Sequence, residues 1–118
     1  MFKVSYEDKR RDPRIKIFCP VVMHSSLGKH NGMINNVSMS GFGVESADKM
    51  SINDNYLFEF FLPEGPAVKA SGELLWRIPE GEIFGYGVRI KTMGLISKIK
   101  LKIFIWKILR RNLKSEKL

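Results

Sequence analysis

A chain of 118 residues and 13.6 kDa is sized for one domain. With 44% hydrophobic and 27% charged residues it has the composition of a globular protein that needs neither disulfide nor metal to build a core. The net charge of +8 is uneven: residues 98–118 hold eight Lys or Arg against one acid, Glu116, so the body is nearly neutral, which argues against a nucleic-acid surface spread over the fold.

Residues 1–14 are polar, without apolar periodicity, and read as a mobile lead-in carrying Lys9, Arg10, Arg11 and Arg14. They offer no apolar stretch of a secretory signal, and nowhere does the sequence reach the roughly 18 apolar residues of a spanning helix, so a cytoplasmic location is expected. From Ile15 the apolar residues Ile15, Ile17, Cys19 and Val21 alternate with their neighbours as on a strand, and Pro20 implies an edge or a bulge. Cys19 has no partner for a disulfide and is expected to be a buried, inert thiol.

Ser25 to Gly32 is rich in turn formers and reads as a connection. Short strands are predicted near Gly32 to Val37 and over Phe42 to Glu45, with the turn Ser38-Met39-Ser40-Gly41 between them. Further strands are predicted over Tyr56 to Leu62, Val68 to Arg77 and Phe84 to Ile90, with Tyr56, Phe58, Phe60 and Phe61 in the core. Gly85 and Gly87 inside the last strand point to a close backbone approach or sharp coiling. Six short strands with turn residues between them describe a small antiparallel barrel or sandwich over residues 15–93.

Ile99 to Ile105 alternate like a strand, but the absence of Gly and Pro from Leu95 onward favours a basic amphipathic helix over residues 94–115. On that helix Leu95, Ile99, Ile103, Trp106 and Leu113 share one face, and Leu101, Phe104, Ile105 and Ile108 another. One face can pack on the barrel, which leaves the other in need of a partner.

Two segments carry candidate chemistry. The planar fork of arginine matches the paired acceptors of a phosphate or of a guanine edge, so Arg10, Arg11 and Arg14 can wrap an anionic ligand. By charge alone they read first as a solvated run offset by Glu7, Asp8 and Asp12, as charge runs usually are. Asn36-Val37-Ser38-Met39-Ser40-Gly41 can present donors and acceptors to a ligand, or simply stabilise a turn in which Gly41 takes positive φ.

Taken together, Arg10-x-x-x-Arg14 before the first strand and Asn36-x-Ser38-x-x-Gly41 some two dozen residues later resemble the paired signature of the PilZ domain family. GFGV from Gly41, LLWRI around Trp76 and GYGVRI from Gly85 agree with it, and the resemblance spans roughly residues 9–110. It implies an all-β fold: a six-stranded antiparallel β-barrel with a C-terminal α-helix, acting as a non-catalytic receptor for cyclic di-GMP. By position, Arg10 and Arg14 would hold guanine edges and phosphates with Arg11 assisting. Asn36 and Ser38 would hydrogen-bond the ligand, and Gly41 would permit the turn. Trp76 falls where some members bring an aromatic residue against a base, and it is equally a half-buried barrel tryptophan. Lys9 stands where many members have arginine, and an ammonium cannot form the fork.

No other chemistry emerges. His24 and His30 lack further metal ligands at a useful spacing, Ser38 and Ser40 lack a base, and no phosphate loop is present, so neither enzyme nor metal or other cofactor is expected. Besides cyclic di-GMP, the expected partners are a downstream protein and, through the basic helix, a second copy or a membrane surface, with no nucleic acid. Two alternatives stay open: a ligand-independent module acting through that helix, and a small-barrel binder of single-stranded nucleic acid.

Overall fold

The computed structural model describes residues 13–63, 65 and 67–117. Six strands, β1 (Ile15–Ser25), β2 (Gly28–Val37), β3 (Gly41–Ser46), β4 (Asn55–Phe61), β5 (Ala67–Glu80) and β6 (Ile83–Met93), precede one helix, α1 (Leu95–Lys117). All pairings are antiparallel, and the order β1-β2-β3-β6-β5-β4 closes because β4 also pairs with β1. Closure removes the unpaired edges that an open sheet must protect.

The period of two places the core. In β1, Ile15, Ile17, Cys19, Val21 and Met23 point inward while Lys16, Phe18 and Pro20 face out. The β1–β2 ladder is irregular between Lys16 and Cys19, and Pro20 follows that irregularity, paired with Met33. Phe42 packs edge-on against Phe58 at 5.0 Å between ring centres and lies 5.3 Å from Phe60. Tyr86 reaches out of this cluster: its hydroxyl donates to the Asp48 carbonyl (2.6 Å) and accepts from the Met50 amide (2.8 Å), pinning the β3–β4 connection.

Two expectations change. The connection between the first strands is only Ser26 and Leu27, because Gly28 to Gly32 pair with β1 despite their turn-rich sequence. Phe61 is 43% exposed: with Tyr56, Phe58 and Phe60 turned inward, the alternation sends Phe61 out, and Leu62 beyond the strand takes its place in the core.

α1 follows Gly94, whose carbonyl accepts from the Lys98 amide in the first turn (2.9 Å), and Ser97 Oγ accepts from the Lys69 amide on β5 (3.2 Å). Leu101 and Ile105 are buried and belong to the barrel core, with Phe104, Ile108 and Leu109 packed against it. Burial of the first two stabilises the docked helix by about 1.5–3 kcal/mol each. The other face, which includes Leu95, Ile99, Ile103 and Trp106, is exposed.

Candidate functional site

The turn between β2 and β3 is built around Ser38, which is 0% exposed. Its Oγ donates to the Gly41 carbonyl (3.0 Å) and accepts from the amides of Gly41 (3.1 Å) and Ser40 (3.3 Å), and its own amide also donates to Gly41 O (2.8 Å). A serine hydroxyl bonded this way replaces the backbone partners that a tight turn lacks. Gly41 is required by proximity and not by φ: a Cβ there would overlap the Val88 carbonyl on β6. The turn is further tied to β6 by the Ile90 amide, which donates to Ser40 O (2.8 Å). Ser38 and Gly41 thus shape the turn from beneath.

Just before the turn, the β2–β3 register shifts between Ile34 and Asn36. The extra residue, Asn35, breaks the alternation, so Asn35 and Asn36 both lie against Gly43 on the outer wall, where a Cβ would overlap both amides. Asn36 Nδ2 donates to Asn35 Oδ1 (2.6 Å), and Asn35 Nδ2 donates to Glu45 Oε2 (2.8 Å). Asn36 Oδ1 in turn accepts from the Arg14 guanidinium, Nη1, at the entry to β1. A polar chain Arg14–Asn36–Asn35–Glu45 therefore runs across the outside of β1, β2 and β3, and it joins two sequence motifs that stand 22 residues apart.

A matching irregularity occurs on the other side. The β5–β6 register shifts between Leu74 and Trp76, so Leu75 and Trp76 both face solvent. Trp76 is 47% exposed, and its indole lies on Gly87, where any Cβ would overlap the ring. Gly43 pairs with Gly87, so the row Asn36, Gly43, Gly87, Trp76 crosses four adjacent strands. The two glycines leave room that side chains from neighbouring strands fill: the Asn35 and Asn36 amides lie over Gly43 and the Trp76 indole over Gly87, and both glycines are buried. A shallow cavity of about 160 Å³ opens there, floored by Gly43 and Gly85 and walled by Asn35, Asn36, Trp76, Ile78 and Glu80.

Of the residues singled out by sequence, the fold brings together Arg14, Asn36, Ser38 and Gly41 at one end of this face and sets Trp76 at the other. Lys9, Arg10 and Arg11 lie outside the described residues. Asn35, Glu45 and Glu80 escaped the sequence reading. The doubled Asn inside a strand was the available signal, since two adjacent polar residues on one wall require a bulge.

Chemically this face is equipped to recognise a ligand. Asn amides and carboxylates offer acceptors to N–H groups, Arg14 offers a fork to oxygens, and Trp76 offers a π surface. No cluster of metal-binding residues occurs among those described. His30 is engaged elsewhere, with Nδ1 3.0 Å from Asp48 Oδ2 and its ring edge-on to Tyr56. The one thiol, Cys19, is buried inside the barrel, and desolvation pushes its pKa up to about 11, far from nucleophilic use.

Residues 8–105 match the PilZ domain, and the chain belongs to that family. No curated protein sequence matches it. Among solved structures it is similar to Escherichia coli YcgR in complex with c-di-GMP, with 12% identity and a TM-score of 0.77 over 92% of this chain and 50% of that one. The K. pneumonia MrkH–c-di-GMP complex is similar at 12% identity and TM-score 0.74, covering 90% of this chain and 54% of that. The Bacillus subtilis inhibitor of motility MotI/DgrA is similar at 14% identity and TM-score 0.73, over 89% and 52% respectively. The chain thus spans about half the length of these proteins. The PilZ domain of YcgR with c-di-GMP, taken alone, is covered over 99% of its length, at 13% identity and a TM-score of 0.70.

Proposed function

We propose that this chain is a non-catalytic cytoplasmic receptor for cyclic di-GMP, and that the ligand settles on the outer wall between Arg14 and Trp76. The observation that carries this reading is the Arg14–Asn36 hydrogen bond, which unites both halves of the family's signature beside a glycine-floored cavity. Arg14, together with Arg10 and Arg11 of the N-terminal segment, binds phosphates and guanine edges through paired donors. Asn36 turns its amide from Arg14 and Asn35 to a base edge. Ser38 and Gly41 hold the turn that presents it, a supporting role favoured by the serine's existing bonds.

Trp76 stacks on a base. The absence of side chains at Gly43 and Gly87 lets the Asn36 amide and the Trp76 indole lie flat on the wall, where they meet the ligand. Binding orders the arginine segment on the barrel. Its loss of backbone freedom is offset by several charge-assisted hydrogen bonds, and the changed surface is what a downstream protein reads. Titration calorimetry with cyclic di-GMP, with GTP and cyclic di-AMP as controls, tests the reading. Selective binding that disappears in Arg10→Ala and Arg14→Ala supports it. Equal binding by both variants and the parent chain refutes the site.

A further inference from the structure

α1 presents an apolar outer surface that the receptor reading leaves unused. The helix is apolar on two opposite sides. Leu101 and Ile105 hold one side to the barrel. On the opposite side Leu95, Ile96, Ile99, Ile103 and Trp106 are exposed, Ile96 by 65% and Trp106 by 57%. The 100° advance per residue places these five in one strip. The same advance puts Lys98 and Lys102 along one margin of the strip and Lys100, Lys107 and Arg111 along the other. Arg110 lies within the strip, its guanidinium 4.6 Å above the Trp106 ring. From Leu95 to Arg111 the sequence contains no acid.

We propose that this strip docks the domain on an anionic lipid bilayer, with α1 lying in the plane of the interface. Two properties select this occupant. First, cations flank the strip on both sides, over about 6 Å of helix from Lys98 to Lys102 on one margin and about 16 Å from Lys100 to Arg111 on the other, at 1.5 Å per residue. A bilayer surface is negative on both sides of an embedded helix and apolar beneath it, so it satisfies strip and margins together. Lysines in the margins lay their methylenes along the apolar layer and keep their ammonium groups among headgroups, and Trp106 suits the boundary. Second, a second copy of this chain is disfavoured by charge. A helix pair formed through the strip would set cationic margins against cationic margins, where a stable seam needs opposite charges.

One margin is deepened by a groove of about 260 Å³, in which Lys100, Lys107 and Arg111 surround Ile103, Phe104 and Pro63. Three cations over an apolar floor accommodate an acidic headgroup above its acyl chain. Docking is peripheral: no helix among the described residues is long and apolar enough to cross a membrane.

Flotation of the full chain with phosphatidylcholine vesicles containing about one third phosphatidylglycerol, against phosphatidylcholine alone, tests the proposal. The expected result is co-flotation with the anionic vesicles only, suppressed by salt, with a blue shift of Trp106 emission in a Trp76→Phe background. The paired substitution Ile99→Asp, Ile103→Asp falls on exposed positions. It should lower partitioning by about tenfold or more while circular dichroism and cyclic di-GMP binding stay unchanged. Absence of co-flotation overturns the proposal, whether sedimentation then shows a dimer that the paired substitution dissolves or a monomer that awaits an acidic protein. Equal partitioning of parent and doubly substituted chains overturns it as well.

Discussion

On the barrel wall between Asn36 and Trp76, side chains are withdrawn: Gly43, Gly85 and Gly87 carry none, and the Asn35 and Asn36 amides, the Glu80 carboxylate and the Trp76 indole lie over them. On the outer side of α1 they are added, five large apolar groups between rows of cations. The first surface is concave, with a fork, amides and one ring, and suits a small planar anion. The second is convex and long, and suits an extended plane. Positive charge alone does not distinguish them, because arginine or lysine serves both. What distinguishes them is whether the apolar component sits at one edge, as a single ring, or runs through the middle, as a strip.

The contrast is broken most sharply at Arg14. Arg14→Ala is expected to weaken cyclic di-GMP binding by about a hundredfold, the worth of paired charge-assisted bonds, and to leave vesicle flotation unchanged. Loss of both in calorimetry and flotation would mean that the two surfaces are one.

A smaller effect tests the aromatic margin. Trp76→Ala is expected to cost about tenfold in affinity, as for a stacked base. Gly87→Val should cost about the same by displacing the indole, and should add little in a Trp76→Ala background. Additive losses in this cycle would assign Gly87 to the ligand and not to the ring. Smaller still, Lys102→Ala should reduce partitioning onto anionic vesicles by about fivefold, one lysine's share of the surface attraction, with calorimetry unaffected.

The smallest expected change is at Cys19, which serves neither surface. At pH 8 the folded chain should resist a thiol reagent that reacts at once in denaturant, since burial raises the thiol to about 11. The unfolded thiol ionises first as pH rises past 9.0, so its contribution to stability is complete below that value and is lost as pH climbs through about 11.

The barrel was legible wherever one face of a strand is apolar. Ile15 to Met23 announce β1, and the run from Leu95 without Gly or Pro announces α1. Gly28 to Asn31 were not legible, because their place in β2 comes from pairing with residues of β1 and not from any pattern of their own. Phe61 was misplaced because four aromatics in six residues mask the parity that turns one of them outward. At the site, Arg14, Asn36 and Gly41 could be named from motif spacing. Asn35 and Glu45 could not, because the irregularity that aligns them is a relation between strands.

The bulge at Leu75 has a consequence for chain length. Leu74 opposes Val88 and Trp76 opposes Gly87, so β5 carries one residue more than β6 needs at this point. Excising Leu75 would leave Leu74 facing inward and Trp76 still opposite Gly87, and β4 has already ended its pairing with β5 at Glu73. Deletion within a strand ordinarily inverts every side chain beyond the cut. Here it should yield a folded barrel whose thermal unfolding stays cooperative, while deletion of Leu74 or Val88 should not. In this wall the indel, usually the harshest lesion, has at Leu75 a position where the reading frame of inside and outside survives it.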